Sequence, residues 1–215
     1  MKKKIILGGA IASLIGLGIY RYVRAQNGRP AEVWTTEDIP DLSGKVVIVT
    51  GANSGIGYEA AREFARQGAQ TILACRSLDK AQAALEQIRA EIPEAAAEIM
   101  PLDLASLASV RQFAEQFKAQ YARLDILLNN AGIMMVPYGL TEDGFERQLG
   151  TNHLGHFALT GLLIDLLMAT PGSRVVNISS NGHRFGKLDF DNLMFAGGQG
   201  YTPVGAYGNS KLANL

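Results

Sequence analysis

From Lys45 onward, short continuous apolar runs alternate with longer segments whose apolar residues recur at helical spacing. Residues 46–50, 71–75, 98–102, 124–129 and 174–179 read as strands. Residues 55–67, 79–91, 106–123 and 143–169 read as helices, the first stopped by Gly68 and the second by Pro93. Val110, Phe113 and Phe117 mark the buried face of the third helix. Strands without polar alternation belong to parallel sheets covered on both faces. The expected fold is therefore a Rossmann-like, doubly wound α/β domain with a parallel sheet between two layers of helices.

Ahead of that domain the pattern changes. Lys2, Lys3 and Lys4 precede an uncharged apolar stretch from Ile5 to Tyr20, and Arg21, Arg24 and Arg29 follow. A bilayer span needs roughly 20 apolar residues. Tyr20, Tyr22 and Val23 extend the stretch if Arg21 snorkels to the headgroups. Residues 1–24 are read as an N-terminal hydrophobic helix that anchors the chain in a membrane. The rival is a cleaved secretory signal, because Val23-Arg24-Ala25 loosely resembles a cleavage site, although a charged, aromatic flank suits that role poorly. The basic flanks are nearly symmetric and set no orientation. Residues 25–41, with Asn27-Gly28, Pro30 and Pro40, read as a linker, and 42–215 as the globular domain.

Charge and cysteine usage narrow the function classes. Lys plus Arg total 20 and Asp plus Glu total 20, so no basic excess directs the chain to nucleic acid. Cys75 is the sole cysteine, which excludes an internal disulfide and a cysteine-based metal cluster. Within its apolar run it reads as a small buried residue. His153, His156 and His183 have no further ligand at a recognised spacing, so no metal is expected and helix packing or an active-site rim explains them better.

The chemistry starts at residues 50–57, Thr-Gly-Ala-Asn-Ser-Gly-Ile-Gly, between the first strand and the first helix. A strand, a glycine turn and a helix N-terminus aim backbone N–H groups and a positive dipole end at a phosphate. The spacing Gly51-x-x-x-Gly55-x-Gly57 departs from the commoner Gly-x-Gly-x-x-Gly fingerprint, and any tight connection also uses glycine. Tyr207 and Lys211 lie four apart on a helix, hence on one face. A phenol ordinarily titrates near pH 10, and a neighbouring ammonium lowers that value toward the range useful for proton transfer. Taken alone, the pair reads better as a solvated helix face. Ser180 follows the fifth strand at the ligand-binding end of the sheet, with Ser179 as the adjacent alternative.

Together, residues 50–57, Asn129-Asn130-Ala131-Gly132, Asn152, Asn177-Ile178-Ser179-Ser180 and Tyr207-Gly208-Asn209-Ser210-Lys211 resemble, in order, the motifs of short-chain dehydrogenases/reductases. The resemblance covers about residues 42–215. Ala74-Cys75-Arg76, the run from Thr151 to Phe157 and Ser210-Lys211-Leu212-Ala213-Asn214 look most like its retinol dehydrogenase branch, and protochlorophyllide reductase and the WW-domain oxidoreductase share some of that look. The resemblance implies Tyr207 as acid–base, Lys211 as its partner and a ribose ligand, Ser180 on the substrate oxygen, and Asn152 as anchor of a water in a proton relay. It implies a nicotinamide cofactor held by Gly51, Asn53, Ser54, Gly55, Ile56, Gly57, Asp103, Leu104, Asn130, Ala131 and Gly132. Asp103 reads alternatively as a helix cap.

An acidic residue ending the second strand favours NAD. Here Arg76 stands there, and an arginine pairs with a 2′-phosphate, so NADP(H) is expected over NAD(H). Residues 181–206 read as a flexible loop; its Phe185, Phe190 and Phe195, with Met134, Met135 and Val136, point to a lipophilic carbonyl or alcohol of the retinal/retinol kind. The expected protein is membrane-associated, with a cytosol-facing catalytic domain and no nucleic-acid partner; homo-oligomerisation stays open. The family pattern continues beyond Leu215, so the chain is expected to be a fragment or truncated form with weak or no turnover by itself. Two alternatives stand beside this reading: a truncated, non-catalytic NADP(H)-binding or scaffold protein, and a carbonyl reductase of another kind, such as one like protochlorophyllide reductase.

Overall fold

Strands β1 (Val46–Thr50), β2 (Gln70–Cys75), β3 (Ala97–Pro101), β4 (Ile126–Asn129) and β5 (Arg174–Asn177) pair in parallel in the order β3-β2-β1-β4-β5. The computed structural model that gives this arrangement describes residues 34–215. The expected anchor, the rival signal peptide and the first part of the linker lie outside the described residues. Among the described residues, no helix is long and apolar enough to cross a membrane. The chain divides after Ile39. Before that point the described residues form a 3-10 turn, Thr36–Asp38, whose N–H groups are capped by Thr35.

In the second unit, Pro40–Leu215, helices α1 (Gly55–Arg66), α2 (Leu78–Glu91) and α3 (Leu107–Gln120) follow the first three strands. After β4, a short α4 (Arg147–Leu149) runs through a π turn (Gly150–Leu154) into α5 (Gly155–Ala169), and α6 (Pro203–Leu212) follows β5. Right-handed crossovers stepping outward from β1 place α1 and α2 on one face, and the reversal to β4 brings α3 and α5 to the other. Packing agrees. Ile48, Ile72 and Leu127 share a core with Phe113 and Phe117 of α3 and Leu159 and Leu163 of α5. Their strand neighbours Val47, Val49 and Leu73 point the opposite way and are also fully buried. The result is the expected Rossmann-like fold.

Three expectations need correction. The helix placed at 143–169 begins only at Arg147, because residues 141–146 close on themselves. Thr141 N–H donates to Phe145 O, and the Glu146 side chain accepts from the N–H groups of Gln148 and Leu149. Helix 106–123 ends at Gln120, where Tyr121 turns extended, stacks on Phe117 and donates its hydroxyl proton to Glu98. Finally, β5 is not covered. It forms the sheet edge, and all its residues, Val175 and Val176 included, are exposed.

At the opposite end of the sheet from the glycine turn, buried Asp125 accepts the Val46 N–H at 3.0 Å and pairs with Arg123 at 2.7 Å and Lys45 at 3.2 Å. Burial pushes its carboxyl up, but the Arg123 bond, the Val46 N–H and Lys45 outweigh that and hold it at about 2. A carboxyl depressed in the fold contributes stability above its unfolded value, and that stability is lost as pH falls toward the folded one. Asp125→Asn is expected to cost about 1–2 kcal/mol at pH 7, allowing for the solvent screening of its two exposed partners. The variant should also lose the extra acid sensitivity between about pH 4 and 2. Urea unfolding across that range checks both.

Candidate functional site

The strand order reverses between β1 and β4, and their carboxyl ends open the crevice where such sheets take ligands. Two turns meet there at van der Waals distance. Gly51 has a left-handed backbone (φ 66), and a Cβ on it would lie 3.0 Å from Ala131 Cα. Gly57 lies so close to Asn130 Nδ2 and the Gly51 carbonyl that no side chain fits. Thr50 joins the turns by hydrogen bonds. Its hydroxyl accepts the N–H groups of Asn130 and Ala131, each at 2.9 Å, and its carbonyl accepts from Asn130 Nδ2 at 2.9 Å.

A cavity of about 380 Å³ opens beside these turns. Every residue expected at the cofactor lines it except Gly55, Tyr207 and Lys211. Arg76 stands at one end with Ser77 and Lys80, which the sequence reading missed; a second basic residue one helical turn after Arg76 was the available signal. Asp103 lines the cavity, and its Oδ1 accepts the Ala105 N–H at 2.9 Å in a local turn. The cap of the following helix is Ser106, whose Oγ accepts the Ser109 N–H, so the alternative reading of Asp103 as a helix cap is corrected.

Lys211, Asn152, Tyr207 and Ser180 gather past the other end, at Gly132. A Cβ on Gly132 would sit 3.2 Å from Asn152 Oδ1 and 3.6 Å from Lys211 Nζ. Lys211 Nζ donates to Ile178 O at 3.0 Å and stands 5.9 Å from the Tyr207 ring centroid; burial lowers the lysine's pKa. Across Gly182, a Cβ would be 2.7 Å from the Tyr207 ring and 3.4 Å from Ser180 Oγ, so ring and hydroxyl flank the same glycine. Ser180 Oγ accepts the Gly182 N–H, whereas Ser179 donates to the Lys211 carbonyl at 2.7 Å and is occupied in tying the β5 end to α6. Asn152 lies in the π turn. Its amide is spent on both main-chain groups of Ile133 and on Ser210 Oγ.

The sequence reading also passed over His156 as packing. It is 4% exposed, with Nε2 2.9 Å from Thr50 Oγ and Nδ1 3.0 Å from the Asn152 carbonyl. A carbonyl only accepts, so Nδ1 carries the proton and Nε2 takes the Thr50 hydroxyl proton. That hydroxyl already accepts two N–H groups, so all its capacity is used. Burial drives the His156 pKa down to about 4 despite the bond to Asn152, with the nearby Lys211 charge acting in the same direction. The imidazole is neutral and joins the π turn to both glycine-turn walls. Its four-residue spacing from Asn152 was the only hint in the sequence.

A sheet with a switch-point crevice, a glycine turn at a helix N-terminus and a Tyr–Lys helix at the rim define the class of Rossmann-like α/β domains. The chain belongs to the short chain dehydrogenase family, whose pattern matches residues 45–190. It is 50% identical to retinol dehydrogenase 12 of Mus musculus over 81% of this chain and 54% of that protein, and 51% identical to retinol dehydrogenase 13 of Homo sapiens over 80% and 52%. The chain thus spans about half the length of these relatives. Among solved structures, an uncharacterized protein from Mycobacterium paratuberculosis superposes with a TM-score of 0.74 at 45% identity, over 84% of this chain and 62% of that one. A short chain dehydrogenase from Escherichia coli CFT073, solved in complex with NADPH, has a TM-score of 0.63 at 30% identity, over 80% and 68%.

Because His156 is held neutral in the fold, the unfolded chain binds its proton first as pH falls from 6.5 toward about 4, and stability declines through that window. His156→Asn is expected to flatten the decline, which is on the order of 1 kcal/mol per pH unit. The loss of two buried hydrogen bonds should at the same time cost about 1–3 kcal/mol at pH 7. Denaturant titrations at pH 7 and pH 5 measure both effects.

Proposed function

We propose that the protein is an NADP(H)-dependent oxidoreductase that interconverts a lipophilic carbonyl and its alcohol. The observation that carries this is the cavity that runs from Arg76 along the glycine turn to Gly132, where a Cβ would lie 3.6 Å from Lys211 Nζ. The residues present fit a dinucleotide. Gly51 and Gly57 leave no side chain between the turns and the cavity, α1 points its N-terminus there, and Arg76 with Lys80 makes one end basic.

When bound, the nicotinamide supplies or accepts the hydride. In this reading, N–H groups at the start of α1 hold the diphosphate, while Asp103 and Leu104 border the adenine. Arg76 and Lys80 hold the 2′-phosphate by charge-assisted hydrogen bonds. Asn130, Ala131 and Gly132 form the floor. Ser180 donates its hydroxyl proton in a hydrogen bond to the substrate oxygen. Tyr207 gives that oxygen a proton in reduction and takes it back in oxidation. Lys211 binds the ribose hydroxyls and keeps positive charge beside the phenol. Asn152 fixes the distance between Gly132 and α6 through Ile133 and Ser210, and its main-chain carbonyl accepts from His156 Nδ1 and Asn214 Nδ2. The names of the relatives and the exposed Met134, Met135 and Phe185 support a retinal-like substrate. Residues 1–24 as anchor and 25–41 as linker would deliver domain 42–215 to a membrane from the cytosolic side.

Tyr207→Phe is expected to lower kcat for retinal reduction by roughly 100-fold or more while leaving NADPH affinity within about twofold. A variant with undiminished turnover would remove the tyrosine from the mechanism. Arg76→Asp is expected to weaken NADPH relative to NADH by roughly 10- to 100-fold in fluorescence titrations. An unchanged preference would sink the 2′-phosphate assignment.

A further inference from the structure

Gln148 is fully buried, and nothing in the proposed chemistry uses it. Its amide can be oriented only one way. Met135 N–H is a donor and faces Oε1 at 2.7 Å; the Pro203 carbonyl is an acceptor and faces Nε2 at 3.0 Å. Nε2 donates its second proton to the Tyr201 hydroxyl at 2.9 Å, and that hydroxyl donates onward to the Val136 carbonyl at 2.6 Å. One side chain and one phenol thus connect three chain segments: the stretch after Gly132, the end of the loop after Ser180, and the first turn of α6. The neighbouring Glu146 adds a fourth tie, since its N–H reaches Met194 Sδ at 3.4 Å.

The connected segments are apolar and conformationally held. Tyr201 meets Tyr138 and Phe195 edge to face, at centroid distances of 5.3 and 5.4 Å. Among the described residues, Met135 (φ 54) and Phe195 (φ 50) are the non-glycine residues with left-handed backbone, and one lies in each of the two loop segments. Such conformations are strained and persist where surrounding bonds over-determine them. Here Met135 is held by its bond to Gln148, and Phe195 by main-chain bonds to Asn192 and Gly198 with the Tyr201 ring against its own. The residues expected as a flexible loop, 181–206, instead carry two 3-10 turns and are fastened at Met194, Tyr201 and Pro203.

We propose that Gln148 and Tyr201 form a clamp that fixes the spacing between segment 133–138 and segment 194–203, and that this spacing selects long apolar carbonyls over short ones. The inference rests on the reductase reading given above. Gln148 and Tyr201 are positioning residues: both side chains are saturated by protein partners, so they act on substrate through the walls they hold. A carboxylate cannot replace the amide, because it has no proton for Pro203 O. Phenylalanine at 201 keeps the ring contacts and removes only the link between Gln148 and Val136.

The test uses the full chain with Tyr201→Phe and, as a second variant, Gln148→Glu. Tyr201→Phe preserves ring volume, so it keeps the test open if the buried charge of Gln148→Glu prevents folding. KM and kcat are measured for retinal and for propanal, with NADPH affinity and amide hydrogen exchange of Met135 alongside. The expected result is a KM for retinal raised roughly tenfold. The kcat, the propanal parameters and the NADPH affinity should stay within about twofold, while Met135 exchange quickens roughly tenfold. A merely structural role would lower activity toward both aldehydes together. An unchanged retinal-to-propanal preference in folded Tyr201→Phe would overturn the proposal, and so would an unchanged Met135 exchange. If the unsubstituted chain binds NADPH but reduces neither aldehyde, the failure lies with the turnover expected of this chain and not with the clamp, which unchanged Met135 exchange in Tyr201→Phe overturns by itself.

Discussion

The contact on which the site depends is the approach of two main-chain turns at the carboxyl ends of β1 and β4. Parallel strands sit a fixed distance apart, so turns leaving neighbouring strands on the same side collide unless one gives up its side chains. Gly51 and Gly57 do so on one side, and the small Ala131 suits the other. Bringing two peptide edges together without water then requires an acceptor for each N–H. Thr50 supplies it, with a hydroxyl that serves Asn130 and Ala131 at once and gives its own proton to His156. Glycine gives the approach, threonine satisfies the polar groups, and histidine passes the constraint to the helix that carries Asn152.

That chain of dependence explains why so much buried polarity is tolerated beside an apolar core. Thr50, Asn152, His156, Gln148, Ser210 and Lys211 are all buried. Each has its hydrogen bonds made to groups from a different part of the sequence, which turns a desolvation cost into a set of fixed distances. The neutral state of His156 belongs to the same logic, since a second proton would set three donors against the two lone pairs of the Thr50 hydroxyl.

The strands were legible because a sheet covered on both faces writes itself as continuous apolar runs, and β1 was read to the residue. The motif residues of the glycine turn and of β4 were legible because their spacing is local. The π turn was not. It lies between a helix start capped by the Glu146 side chain and the close approach of Gly155 to the Leu104 backbone, and neither leaves a periodic trace. Gln148 and Lys80 were missed for a simpler reason: a glutamine and a lysine on helices have ordinary solvent-facing roles, and only the placement of their partners distinguishes them.

The π turn has a consequence for how this segment tolerates change in length. An α-helix advances about 100° per residue, so the wide turn at Gly150–Leu154 rotates everything after it relative to everything before. Gln148, on the near side, must face the loops, while Leu159, Leu163 and Leu167, on the far side, must face the sheet. Deleting one residue from this turn would restore regular hydrogen bonding and yet point one of these two groups into the wrong space. The number of residues here cannot vary, so the irregular turn is fixed as a count rather than as a motif.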